Sequence, residues 1–317
     1  MFRDARPSSA ERLMLSGTCA RPADTRRSDL LADEREKQKA MADPHGSFAW
    51  YELMTTDMEA AKAFYAGVVG WGAQDVSMPG TTYTLFTAGG ALISGLTELS
   101  EDARKIGLRP SWLGYVAVDD VDASAERLKQ LGGALHVPPT ETPNISRFSI
   151  AADPQTATIA LLKWLDGGQA PSAEFDAPGR VSWHELVAAD WEAAFAFYRE
   201  LFGWQKAGAD TGAAGTYQLF SVGEQTIGGM FTKPVAEPVP FWLYYFNVGD
   251  IDAAIRRVTA GGGAILDGPI EVPGKRWIAR CADPQGAIFA LAGKRAHDGI
   301  GYFERVGSRK PDGETKR

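Results

Sequence analysis

The stretch WYELMTTDMEAAKAFYAGVVGW, Trp50 to Trp71, returns as WHELVAADWEAAFAFYRELFGW, Trp183 to Trp204. Twelve of the 22 positions are identical, where unrelated segments would share roughly one or two. The correspondence continues beyond this stretch. Trp112 matches Trp242, Asp120-Val121-Asp122-Ala123 matches Asp250-Ile251-Asp252-Ala253, Gly132-Gly133-Ala134 matches Gly262-Gly263-Ala264, and Asp153-Pro154-Gln155 matches Asp283-Pro284-Gln285. The chain therefore reads as a tandem duplication. Each copy, about 115 residues long, is a comfortable single domain. The copies are assigned to residues 47–164 and 181–293. Residues 165–180 between them, with Asp166-Gly167-Gly168 and Pro178-Gly179, have the composition of a linker.

The ends differ from this body. Residues 1–46 are rich in arginine, serine and acidic side chains without amphipathic period and are expected to be disordered, with Met41 a candidate for the true start. Residues 294–317 form a polar tail. Residues 46–293 hold 17 basic and 28 acidic side chains, a net charge of −11, which would repel a polyanion. Nucleic acid is thus not an expected partner. The chain shows neither a membrane-length apolar run nor the apolar core of a signal peptide, so no membrane association and a cytoplasmic location are expected. Its two cysteines, Cys19 and Cys281, lie far apart and form neither a C-x-x-C motif nor an obvious disulfide.

Within each copy the pattern runs strand, helix, short strands, and then repeats. Ser47 to Thr55 alternates like a strand, and Asp57 is placed to cap an alanine-rich helix that buries Ala61, Phe64, Tyr65 and Val68. Thr81–Thr87 and Ala91–Leu96 follow as strands joined at Gly89-Gly90. The unit recurs from Trp112: a strand, a cap at Asp120, a helix to Leu131, and strands near Arg147–Ala151 and Thr158–Lys163. Asp190 and Asp250 are the corresponding caps in the second copy. The Asp-Pro pairs at 153 and 283 read as turns into the last strands.

Paired βαβββ units with an Asp cap, an Ala-rich helix ending in Phe-Tyr, a following Gly-Trp and a closing Asp-Pro-Gln turn closely resemble the vicinal oxygen chelate superfamily. This is the glyoxalase I, bleomycin-resistance and extradiol-dioxygenase group. The resemblance implies an α+β fold of two tandem glyoxalase-like domains, each built from two βαβββ units that form a cup-shaped sheet around a small ligand. It also implies that the two copies pair within the chain, so that a monomer suffices. The superfamily spans lyases, isomerases, dioxygenases and sequestration proteins, and fold alone does not choose among them.

The resemblance also locates the positions where the family holds its metal. They fall on Trp50, Leu113 and Ala160 in the first copy and on Trp183, Leu243 and Ala290 in the second, none of which can ligate one. A catalytic metal needs about three protein ligands, and only His45, His136, His184 and His297 are available as imidazoles. His184 beside Glu185 cannot easily rescue the second site, since adjacent strand residues face opposite ways. Neither metal nor other cofactor is expected.

Period-two alternation sends Trp50 with Glu52, and Trp183 with Glu185, into the cups. Leu113 with Tyr115, and Leu243 with Tyr245, join them from the partner strands. A carboxyl walled by indole loses hydration and its pKa rises, which suits a general acid or base. Glu52 and Glu185 are the catalytic candidates, and Trp50, Leu113, Tyr115, Trp183, Leu243 and Tyr245 the ligand-binding ones. Alternatively each glutamate bonds a backbone amide or an arginine such as Arg147 or Arg280. The leading expectation is binding of a small aromatic or heterocyclic molecule, for sequestration or metal-free acid/base conversion. Two others stand beside it: a metal-dependent lyase or dioxygenase using Glu52, His184 and Glu185, and a non-catalytic interaction protein whose cups are filled by tryptophan. Cys281 and His184 read as structural residues.

Overall fold

The structure, a computed structural model, describes residues 45–78, 81–105, 107–165, 177–212 and 215–296. Residues 1–44, Met41 and Cys19 among them, most of the linker, and His297 with the rest of the tail lie outside these. The first domain runs β1 (Phe48–Thr55), α1 (Met58–Val69), β2 (Gly72–Met78), β3 (Thr81–Ala88), β4 (Ala91–Glu98), α2 (Glu101–Lys105), β5 (Ser111–Ala117), α3 (Val121–Gln130), β6 (Ala134–Thr142), β7 (Ser146–Ala152) and β8 (Thr158–Trp164). The second repeats it: β9 (Val181–Ala188), α4 (Trp191–Phe202), β10 (Gln205–Gly212), β11 (Gly215–Val222), β12 (Gln225–Thr232), β13 (Phe241–Asp250), α5 (Ile251–Ala260), β14 (Ala264–Val272), β15 (Arg276–Ala282) and β16 (Ile288–Lys294). Each domain forms its own eight-stranded sheet, ordered β2-β3-β4-β1-β5-β8-β7-β6 and β10-β11-β12-β9-β13-β16-β15-β14.

The helices start and stop where the sequence says they should. The Asp57 side chain accepts the Ala60 N–H at 3.0 Å, and Gly70 closes α1 in the left-handed region at φ 84°. Asp190 accepts from Glu192 and Ala193 at the start of α4, and Asp120 and Asp250 cap α3 and α5 in the same way. Each cap satisfies amides that the first helical turn leaves unpaired and contributes about 1 kcal/mol. Ala61, Phe64, Tyr65 and Val68 are buried on α1, as their spacing predicts.

Four strands escape the sequence pattern: β2, β6, β10 and β14. Each is the outermost strand of its half-sheet. β10 is exposed along its whole length, and β6 carries Pro138 and Pro139. Edge strands have only one paired side and little burial, so neither apolar alternation nor strand propensity marks them.

The helix-facing sides of the two sheets share one apolar core. Trp71 and Phe246 meet with ring centroids 4.9 Å apart, as do Trp112 and Phe246, and Phe289 lies 5.5 Å from Tyr65. The polar links across the seam come in related pairs. Tyr65 donates to Asp283 at 3.1 Å while Tyr198 donates to Asp153 at 2.9 Å. The Trp71 indole donates to the Gly179 carbonyl and the Trp204 indole to that of Gly46. Gly46, placed by sequence at the end of the leader, is thus held in the fold, and its own N–H donates to the Ala117 carbonyl.

Where a residue meets its own counterpart, the copies differ. Tyr51 faces His184, with Oη 2.6 Å from Nε2. Tyr244 faces Gly114, and its hydroxyl oxygen accepts the Gly114 N–H at 2.8 Å. A Cβ on Gly114 would lie 2.5 Å from that phenol oxygen. These pairs sit where a twofold relation between the domains would carry one copy onto the other. Tyrosine therefore occupies each such place from one side only.

Candidate functional site: two aromatic cups with a carboxyl floor

The outward faces of the sheets carry the cups, whose apolar clusters are separate from the shared core. On β1, Trp50 and Glu52 face the first cup while Tyr51 and Leu53 enter the core. Leu113 and Tyr115 come in from β5, paired with Glu52 and Trp50 respectively. Ala160 on β8 stands next to Tyr115 in the parallel pairing. Met54, Leu85, Leu92, Phe148, Ile150 and Trp164 complete the lining. Glu52 and these six are only partly buried, so solvent reaches the floor of the cup.

Glu52 is held by two phenols. Tyr83 donates to Oε2 at 2.8 Å and Tyr115 to Oε1 at 3.3 Å, while the Trp50 indole donates to the Tyr83 hydroxyl at 3.3 Å. The second cup repeats the chain of bonds. Trp183 donates to Tyr217 at 2.8 Å, Tyr217 to Glu185 at 2.8 Å, and Tyr245 to Glu185 at 3.0 Å. Indole to phenol to carboxyl fixes the direction of each donor, since an indole N–H can only donate and an ionised carboxylate only accept.

Tyr83 reaches Glu52 by lying across Gly95 of β4. A Cβ there would sit 1.8 Å from its oxygen, and one on Gly229 would sit 2.3 Å from the Tyr217 ring. The glycine is what makes room for the tyrosine. Tyr83, Tyr217 and these two glycines were not among the residues expected from sequence. The signal was present, since Thr82-Tyr83 recurs as Thr216-Tyr217 and alternates inward with Leu85 and Leu219.

Burial raises the pKa of Glu52 above the ordinary carboxyl range, and the Tyr83 and Tyr115 hydroxyls oppose the rise. Glu185 is raised for the same cause, with Tyr217, Tyr245 and the charge of Arg280 opposing. The alternative partners fall away for Glu52: Arg147 forms a two-pronged bond with Asp122 at 2.6 and 2.7 Å. Arg280 pairs with Glu237 and stacks on Phe241 at 5.0 Å, acting on Glu185 through its charge.

His184 does not join Glu185. It lies buried in the seam, stacked on Phe48 at a centroid distance of 3.9 Å. Its Nδ1 lies 2.6 Å from the Ile227 carbonyl, which can only accept, so Nε2 receives the Tyr51 hydroxyl and the ring is neutral. Desolvation lowers its pKa to about 4. The arrangement of Glu52, His184 and Glu185 about one metal, weighed from sequence, is therefore ruled out by position: the two glutamates occupy different cups and His184 faces away from both.

The places where the fold family would hold a metal bear Trp50, Leu113 and Ala160, and Trp183, Leu243 and Ala290. Leu113, Ala160, Leu243 and Ala290 are buried and offer no donor atoms, and no group of three His, Cys, Asp or Glu side chains among the described residues could hold a metal ion. The donor set does not fit a metal of the family kind. Cys281 is buried, and desolvation pushes its thiol up to about 12, which fits an inert filler. A cleft of about 330 Å³ opens at the domain seam between Pro154, Gln155 and Phe197, on the side of the sheets away from the carboxyls.

Two βαβββ units per sheet, doubled in one chain, define a glyoxalase-like architecture. The chain belongs to the Glyoxalase/Bleomycin resistance protein/Dioxygenase superfamily, whose family model matches residues 47–161 and 180–291. It is 31% identical over 248 residues to the putative glyoxylase CFP32 of Mycobacterium tuberculosis, covering 78% of this chain and 94% of the relative. It is 33% identical over 260 residues to the anthracycline biosynthesis protein DnrV of Streptomyces peucetius, covering 78% and 92%. Among solved structures, the Mn(II)-bound glyoxalase from Novosphingobium aromaticivorans superposes with a TM-score of 0.55 at 17% identity, over 79% of this chain and 83% of that one. Homoprotocatechuate 2,3-dioxygenase from Arthrobacter globiformis gives 0.56 at 15% identity, over 80% and 81%. At such identities the likeness is one of fold. No helix among the described residues is long and apolar enough to cross a membrane.

Proposed function

We propose that the chain binds planar aromatic molecules in its cups and sequesters them. The observation that carries this reading is the carboxyl held by two tyrosines beside a tryptophan, among partly buried apolar side chains on the outward face of the sheet, built twice. A ligand ring stacks on the indole or slides between the aliphatic walls, and a ligand hydroxyl or amine donates to the glutamate. Two phenols use two of the roughly four acceptor sites of an ionised carboxylate, which leaves capacity for a ligand. The kinship with a protein named for anthracycline biosynthesis supports the same ligand class, because an anthracycline is built on fused planar rings.

A second reading draws on the raised pKa. A carboxyl whose proton affinity burial has raised is a stronger base than an ordinary one and can exchange a proton with a bound ligand, so metal-free acid/base conversion by Glu52 or Glu185 uses the same geometry.

The test is a titration of the full chain with 1,4-dihydroxyanthraquinone, followed by quenching of tryptophan fluorescence. Saturable binding is expected, weakened about three- to tenfold by Glu52→Gln or Glu185→Gln, the value of one hydrogen bond to a charged acceptor relative to a neutral one. Lack of saturation, or affinity unchanged from the unaltered chain in both single variants, overturns the assignment. Chromatography of the probe afterwards separates the readings: an unchanged molecule supports sequestration, and a product that disappears in a Gln variant supports conversion.

A further inference from the structure

The cups share their floor but not their walls. Offsets fixed by Asp153-Pro154-Gln155 and Asp283-Pro284-Gln285 place Arg280 of the second domain opposite Ile150 of the first, Arg276 opposite Ser146, and Asn247 opposite Ala117. Arg276, Ile278 and Arg280 alternate on the same face of β15, and Ile278 packs against the cup residues Leu243, Tyr245, Ala290 and Ala292. In the register of β15 with β16, Arg280 lies beside Ala290 and Ile278 beside Ala292. The charge of Arg280 is felt by both Glu185 and Tyr245. The second cup thus has a guanidinium in its wall where the first has a hydrocarbon.

That guanidinium is only partly satisfied. One terminal nitrogen bonds Glu237, on the segment between β12 and β13, and the group stacks on Phe241. Its Nε is buried and has no hydrogen-bond partner among the described residues. A buried N–H of a cation without an acceptor is rare in a folded protein and calls for one. Glu237 itself is held in place by more than the ion pair, since Lys233 donates to its backbone carbonyl at 2.6 Å. Arg276 bonds the Asn247 amide oxygen at the other end of the same face.

We propose that the second cup selects aromatic ligands bearing an anionic oxygen, a carboxylate or an ionised phenol, which is received by Arg280, while the first cup takes uncharged rings. The inference rests on the cup-binding reading above and adds that the two cups are not equivalent. Glu237 is then a competitor for the guanidinium, and an incoming anion shares or displaces it. Glu185, the acid on the floor, faces the same space and sets where the anion cannot sit, so the charged end of the ligand points toward Arg280 and its ring toward Trp183.

Isothermal titration of the full chain with 2-naphthoate and with its uncharged analogue 2-naphthamide tests this. The naphthoate is expected to fill one site per chain, the second cup, and the amide to bind in the first cup. Arg280→Ile, which restores the residue type of the first cup, is expected to weaken naphthoate at least about tenfold and the amide less than about threefold. Arg280→Lys should recover part of the loss. Glu237→Gln frees the guanidinium and is expected to tighten naphthoate several-fold, an outcome of opposite sign that a misfolded variant cannot imitate. Equal weakening of both probes by Arg280→Ile, or no gain with Glu237→Gln, overturns the assignment of Arg280 while leaving cup binding intact. If neither probe binds the unaltered chain, the cup-binding reading fails and this inference with it.

Discussion

Replacing Gly95 by alanine tests the idea that each cup is built by threading a tyrosine over a glycine. The added Cβ would lie 1.8 Å from the Tyr83 oxygen, 2.4 Å from Cζ and 3.0 Å from Cε1. No small adjustment accommodates contacts so far below van der Waals distance, so the phenol must swing away. It then loses its 2.8 Å bond to Glu52 and its 3.3 Å bond from Trp50. A hydrogen bond to a charged group is worth about 1.5–3 kcal/mol and a neutral one about 0.5–1.5. Alanine returns up to about 1 kcal/mol by restricting the unfolded chain. A net loss of about 2 kcal/mol is expected in urea denaturation followed by fluorescence. The cause is isolated by repeating the substitution after Tyr83→Ala, where no ring remains to be displaced. There Gly95→Ala should cost less than about 0.5 kcal/mol, leaving a coupling energy near 2 kcal/mol between the two sites. Equal cost in both backgrounds would refute the threading argument.

His184 should give the fold an acid-sensitive slope. With its folded pKa near 4 against an ordinary 6.5, its contribution is complete above pH 6.5 and is lost as pH falls through about 4. That interval corresponds to about 3 kcal/mol, and denaturation at stepped pH should show His184→Gln lacking this slope. Glu52 acts in the opposite sense: its raised pKa favours folding at low pH, and that contribution is lost as pH rises through the folded value. Glu52→Gln should therefore gain stability relative to the unaltered chain as pH increases, measured in the same series. Tyr65→Phe removes a hydroxyl that donates to Asp283 and accepts from the Trp112 indole at 2.9 Å. Two buried partners are left unsatisfied, so urea titration should register a loss of about 2–4 kcal/mol, with Tyr198→Phe behaving alike through Asp153 and Trp242.

The parts of the structure that repeat with burial were legible in the sequence. Asp57 and Asp190 announce their helices because a short acid before an apolar period has one local use, and the inward faces of β1, β5, β9 and β13 follow from alternation alone. Glu52, Glu185, Trp50, Trp183, Tyr115 and Tyr245 consequently lie in the cups, as expected. The edge strands β2, β6, β10 and β14 were silent because their residues answer to solvent on one side and to a single neighbour on the other. Tyr83 and Tyr217 were missed for a different reason. Their role depends on the absence of a side chain at Gly95 and Gly229, on the adjacent strand and two residues away in register, and a local pattern does not report a vacancy on a neighbouring strand. Asp153 and Asp283 read as turns, and they are: each accepts the N–H groups of residues two and four places on. Their second use, receiving a tyrosine from the other domain, needs the tertiary pairing before it becomes visible.

The seam where Tyr51 meets His184 and Gly114 meets Tyr244 bears on what the duplication can still do. Two identical halves brought together along this line would set phenol against phenol at one point, or leave a hollow between facing glycines. Here the space vacated by Gly114 is filled by Tyr244, and the hydroxyl of Tyr51 finds an imidazole instead of a second phenol. The halves have become plug and socket. A first half fits a second half better than another first half, so separated domains should recombine as unlike partners, and carrying one of each has turned from an accident of copying into a condition of assembly.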